Sequence, residues 1–129
     1  MKQIHSIVAE LRAIVPELVR LSRELKTGRH AHSAATLVEH SQECSLMADL
    51  LEASLAAKDG GASLRAAVST ADERTLMSAA MIMVMSYELF PYLELSGKLR
   101  DLSERIEAVM WQLDKLGKEL PAPVPRTLN

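Results

Sequence analysis

Apolar residues recurring at alternating steps of three and four constrain this chain more than any other feature. The first such series is Ile4, Ile7, Leu11, Ile14, Leu18, Leu21 and Leu25. A helix turns about 100° per residue, so these positions share one face and read as a seam against another helix. Val8, Val15 and Val19 widen the seam on one side, the pattern of a core-facing bundle helix rather than a narrow two-stranded coil. Pro16 sits inside the segment, where it removes one backbone hydrogen bond and crowds the preceding turn. Because the seam stays in phase past Pro16, a kink near Arg12 to Pro16 is expected rather than a stop.

Turn residues divide the rest of the chain. Thr27-Gly28 reads as a helix stop, with Lys26 placed to favour the C-terminal dipole. A second helix is expected from about Arg29 to Ser33 as far as Lys58. Its seam is Leu37, Ser41, Cys44, Ala48, Leu51 and Leu55, flanked by Val38, Met47 and Leu50. The small residues Ser41, Cys44 and Ala48 would let a neighbouring helix come close. Asp59-Gly60-Gly61 then breaks the chain.

A third helix is expected from about Ser63 to Phe90. Ser63 is one candidate N-cap, and Thr70-Ala71-Asp72-Glu73 matches a capping box for a later start. Phe90-Pro91 ends or bends it. The fourth helix begins at Pro91 or after Ser96-Gly97 and follows Leu95, Leu99, Leu102, Ile106, Val109, Leu113, Leu116 and Leu120. Pro121, Pro123 and Pro125 cannot continue it, so residues 121–129 are expected as a Pro-rich extended tail.

Helical segments of similar length with short connections pack as antiparallel neighbours. The expected fold class is therefore all-α, an up-down-up-down four-helix bundle forming a single domain over residues 1–120. The alternative is a pair of long helical hairpins that complete the bundle by dimerising. A chain of 129 residues is long enough to bury a core without disulfides or metals. With 48% hydrophobic and 25% charged residues it is globular rather than disordered. Aromatics are only 3%, which leaves an aliphatic core and few runs from which a sheet could be built.

The charge pattern argues against some functions. A formal net charge of −2 gives no support to nucleic-acid binding. The one basic bias, Arg12, Arg20, Arg23, Lys26 and Arg29, is diluted by Glu17 and Glu24 and reads as a solvated helix face. Cys44 is the only cysteine, so no intramolecular disulfide can form, which suits a reducing cytoplasm. The chain enters an amphipathic pattern directly after Met1, without a signal-peptide core. The most apolar stretch, Leu76 to Phe90, contains Ser78, Ser86 and Glu88 and is shorter than the roughly 20 residues of a membrane span. A cytoplasmic protein without membrane insertion is expected.

Catalytic and metal signatures are not legible. The histidines are His5, His30, His32 and His40, and no glutamate stands three residues before any of them. That removes the Glu-x-x-His pairs of a di-iron bundle. His30-Ala31-His32 could share an ion only from a loop, because a helix points residues two apart in different directions. His40 lies beside the second seam, and the section from Pro16 through Gly28 to His40 resembles the helix-loop-helix of histidine phosphotransfer domains. That resemblance covers less than a third of the chain and implies His40 as phosphoryl acceptor. Where those domains carry lysine and glycine, Ser41, Gln42, Glu43 and Cys44 follow here, and the Glu43 carboxylate would repel a phosphoryl group. Cys44 on the seam reads as a small buried hydrophobe, not a nucleophile. Glycine-rich phosphate loops, serine elbows and paired carboxylates are lacking. The tail prolines are two apart, whereas a PxxP ligand needs three. A non-enzymatic protein without cofactor or metal is expected.

Two features point instead to an interaction surface. Ala79-Ala80-Met81-Ile82-Met83-Val84-Met85 is apolar on every face for about two turns, although a bundle helix needs one apolar stripe. Something should cover the second face, and methionine suits adaptable contacts. The candidate surface is Met77, Met81, Met83, Val84 and Met85. Trp111, the only tryptophan, falls almost opposite its own seam, among Arg100, Glu104, Glu107, Lys115 and Lys118. A tryptophan ringed by charges resembles an interface hot spot with a polar rim, so Trp111, Glu107 and Lys115 form a second candidate contact. The expected function is protein–protein interaction, as an adaptor, inhibitor or accessory subunit. A homo-oligomer, most simply a dimer, is expected through the Met-rich helix, with a further protein partner possible. An apolar ligand held near Met77, Met81 and Val84, or a bound metal, is the alternative.

Overall fold

The computed structural model describes residues 1–26 and 30–121. The expected stop at Thr27-Gly28, and the tail beyond Pro121, lie outside the described residues. The described residues form four α-helices: α1 (Lys2–Leu25), α2 (Ala31–Ala56), α3 (Ala62–Glu88) and α4 (Leu93–Glu119). They make an all-α up-down-up-down four-helix bundle, in which each helix packs on two neighbours and neither diagonal pair makes close backbone contact. The closest pairings are α1 with α2 and α3 with α4, while the α2–α3 and α1–α4 seams are looser.

The alternating apolar steps set this arrangement. All of Ile4, Ile7, Leu11, Ile14, Leu18, Leu21 and Leu25 are buried, as are Leu37, Cys44, Ala48 and Leu51 on α2. On α4, Leu99, Leu102, Ile106, Val109, Leu113 and Leu116 are buried as well. Small residues govern the close pairings. Ser41, Cys44 and Ala48 lie in the core of the α1–α2 hairpin. Between α3 and α4, the Ser103 hydroxyl donates to the Ala79 carbonyl at 2.7 Å, and Ser96 donates to the Ser86 carbonyl at 2.7 Å. Other buried hydroxyls, such as Ser22, Ser41 and Ser54, donate to carbonyls one turn back on their own helix. Among the described residues no buried side-chain polar atom is left without a partner, which avoids the desolvation penalty of an orphaned group.

α1 continues through Pro16 without a stop, as its in-phase seam implies. Both Pro16 and Arg12 are exposed, so water can satisfy the carbonyl that the proline leaves unpaired. α3 starts at Ala62, one residue ahead of Ser63, so neither Ser63 nor the Thr70–Glu73 box opens it. The cap comes from Asp59, whose carboxylate accepts the Ser63 amide at 3.1 Å and the Ser63 hydroxyl. These hydrogen bonds hold the Asp59 carboxyl below its ordinary range. Gly60 (φ 69°) and Gly61 (φ 85°) supply the left-handed backbone that carries Asp59 back over the helix start. α4 begins at Leu93 and continues through Gly97.

Candidate interaction surface on α2 and α3

The four helices differ in how they distribute apolar residues. α1 and α4 segregate apolar and polar residues onto opposite faces, whereas α2 and α3 carry apolar residues around most of their circumference. α2 and α3 are neighbours, so part of their surplus apolar surface lies on one outward side of the bundle.

On α3 that face shows Met77 (62% exposed), Met81 (49%) and Val84 (51%). On α2 it shows Leu46 (54% exposed), with Leu50 beside it on the same side of the helix. The seam between them is open at two places. One groove is lined by Leu50, Ala53, Ala57, Ser63, Ala66 and Thr70, nearly all small residues. The other lies further along the same seam and is lined by His40, Glu43, Glu73, Arg74 and Met77. The face therefore combines protruding side chains in one half of α3 with a shallow floor of small residues in the other.

Not every methionine of the sequence-derived surface belongs to it. Met85 is buried, because it stands one turn from both Ile82 and Leu89, which are core residues. This corrects its assignment to the surface. Met83 is half-buried, with its sulfur 3.6 Å from the Ser86 hydroxyl. Leu46 and Leu50 were missed as surface: Leu50 reads as flanking the α2 seam, and Leu46 stands in no seam. Their signal was the same as in α3, apolar residues opposite a seam already filled.

The polar groups of the face are structural in their geometry. His40 Nδ1 lies 3.0 Å from the Ser78 hydroxyl. Burial pulls the His40 imidazole below its ordinary value of 6.5, against an opposing pull from Glu39 and Glu43. Ser78 is buried in mid-helix, where neighbouring backbone amides are already bonded and none is free to hold an oxyanion. The pair is thus a seam contact rather than a nucleophile with its base. Phosphoryl acceptance at His40 is no better served, since Glu39, Glu43 and Glu73 line the same groove. Arg74 pairs with Glu43 at 2.7 Å across the seam. Cys44 is buried, and burial pushes its thiol up to about 12, so it carries no thiolate at neutral pH.

Known proteins offer no template for this face. No protein-family model matches the chain, and no curated protein or solved structure does. Among the described residues, no helix is long and apolar enough to cross a membrane, and no cluster of His, Cys, Asp or Glu is arranged to hold a metal ion.

The remaining candidates lie elsewhere. Trp111 is 59% exposed on α4, and its indole N–H reaches Glu107 at 3.3 Å. Lys115 lines the α1–α4 seam with Lys2 and Glu119, so the tryptophan site and the methionine stripe are separate surfaces. A third apolar patch, not expected from the sequence, gathers at the α3–α4 turn. Tyr87, Phe90, Tyr92 and Leu93 are all exposed there, and Tyr92 meets the His30 ring edge-on at 5.1 Å. The signal in the sequence was the crowding of every aromatic except Trp111 into Tyr87–Tyr92 around Pro91.

Proposed function

We propose that the chain is a non-enzymatic helical interaction module whose contact surface is the outward face of α2 and α3. The observation that carries this reading is the stripe Met77, Met81 and Val84, exposed beside Leu46 on a bundle whose core is already complete. Apolar surface gains about 25 cal/mol per Å² when it leaves water, and contiguous exposed patches of this kind mark association sites. The methionines add flexibility, which lets one surface fit a partner closely. Homo-oligomerisation is the simplest use of such a face. Trp111 with Glu107 and Lys115 would serve as a separate contact on α4.

Site-specific photo-crosslinking tests the reading. A photoreactive residue replacing Met81 is expected to give discrete covalent adducts when the protein is irradiated in cells. The same residue replacing Ala13, exposed on α1, is expected to give none. Absence of any adduct at position 81, with the protein folded, would remove this function.

A further inference from the structure

The outward stripe of α3, part exposed and part half-buried, has a symmetry of its own. Its positions are Ser63, Ala66, Thr70, Met77, Met81 and Val84, and the steps between them are three, four, seven, four and three. The order of steps is the same read in either direction. Ser63, Ala66 and Thr70 line the shallow groove, while Met77, Met81 and Val84 protrude. Each large residue therefore has a small one at the same distance on the other side of the midpoint. That midpoint falls between Glu73 and Arg74, adjacent residues of opposite charge, both exposed.

We propose that a second copy of this chain covers the face, with α3 antiparallel to the partner's α3 about a two-fold axis between Glu73 and Arg74. The proposal rests on the interaction-surface reading and names its partner. In this register Met77 faces the partner's Thr70, Met81 the partner's Ala66 and Val84 the partner's Ser63. The reciprocal contacts form at the other end, as an isologous interface requires. Large side chains thus enter hollows left by small ones, the packing that lets helices approach closely. At the axis Glu73 faces the partner's Arg74 and Arg74 faces the partner's Glu73, so each guanidinium, already paired with Glu43 of its own chain, meets a second carboxylate rather than a like charge. Leu46 and Leu50 extend the apolar contact from α2.

The area available is sufficient. A face two helices wide is about 39 Å long and about 18–20 Å across, so it covers roughly 700–800 Å². That matches the ~800 Å² per partner of a stable specific interface.

The register is tested by mixing two variants that each add one cysteine to the native Cys44, Met81→Cys and Ala66→Cys, and oxidising them. Both positions are exposed, and the buried Cys44 stays out of the reaction. Positions 81 and 66 lie about 22 Å apart along one helix at 1.5 Å per residue, beyond the ~6 Å Cα separation that a disulfide spans. The expected result is a disulfide-linked heterodimer in the mixture, with little covalent dimer from either variant alone. Met81→Glu in the same assay conditions is expected to weaken dimerisation by about 100-fold, since the change enters twice per dimer. Efficient linking of position 81 to position 81 would overturn the antiparallel register. A chain that sediments as a monomer and gives no covalent dimer would overturn self-pairing altogether. Photo-crosslinking at position 81 separates the two levels: a different polypeptide captured there would retain the interaction surface while ending the dimer, and no adduct would end both.

Discussion

The α1–α4 and α2–α3 seams are both loose pairings in the same bundle, yet they are closed by different means. On the α1–α4 side Arg105 reaches Glu10 at 2.8 Å and also Glu17, and Lys98 lies 3.6 Å from Glu24. Charged side chains bridge the seam, and their aliphatic stems cover the apolar edge beneath. Among the described residues the α2–α3 side has one ion pair, Arg74 with Glu43, and Leu46, Met77, Met81 and Val84 are exposed on these two helices. Both seams leave shallow grooves, but charged side chains span one and exposed apolar side chains flank the other. Apolar residues opposite a filled core add little to the folding of their own chain, and in the function proposed above those of α2 and α3 serve association.

Making α3 resemble α1 should break the difference with the largest effect. A variant with Met77→Glu, Met81→Lys and Val84→Gln is expected to lose association by more than about 100-fold, with helical circular dichroism unchanged. Unchanged association in a folded variant would show that the exposed stripe has no role. Removing the bridge on the other seam should do the reverse. Arg105→Met is expected to lower folding stability by about 0.2–1 kcal/mol per ion pair, because all three side chains are partly exposed and solvent screens them. Association is expected to stay the same, as read by denaturant unfolding alongside sedimentation. Lost association in Arg105→Met would mean that the interface lies on α1–α4 instead.

The fold was legible because the helices that decide it have strong periodicity. α1 and α4 announce a single buried face in their three-and-four spacing, and turn residues at Asp59-Gly60-Gly61 and Phe90-Pro91 mark the ends. The doubly apolar character of Ala79–Met85 was equally legible. What the spacing did not settle was which residues of such a segment face inward. With apolar residues all round, Met85 and Met81 look alike in sequence, and only packing against α2 and α4 sends Met85 inside. Leu46 and Leu50 were hidden for the same reason on α2. The cap by Asp59 was missed because it arises before the helix start and depends on two left-handed glycines.

Smaller effects sharpen the same contrast. His40 sits on the α2–α3 seam with its imidazole held below 6.5 by burial. The unfolded chain then binds a proton more readily than the folded one, so stability rises with pH in this window. The contribution is fully present above pH 6.5 and is lost as pH falls from 6.5 through the lowered value. The melting temperature of the native protein is expected to fall relative to His40→Gln on moving from about pH 7.5 to about pH 5. A constant difference between the two proteins would show that His40 titrates as it does in the unfolded chain. Smallest of all is the response of Cys44. Its thiol, pushed up to about 12, is expected to resist alkylation at about pH 8 until the protein is unfolded in denaturant. Rapid labelling of the native protein, followed by mass spectrometry, would show that the α1–α2 hairpin opens.

The most direct measurement of the central claim is solution molar mass by light scattering across a concentration series, for the native chain, Met81→Glu and Arg105→Met together. Twice the 14.2 kDa chain mass is expected for the native protein and for Arg105→Met, and 14.2 kDa for Met81→Glu. A native protein that stays at 14.2 kDa throughout, or a Met81→Glu variant that keeps the doubled mass, would contradict it.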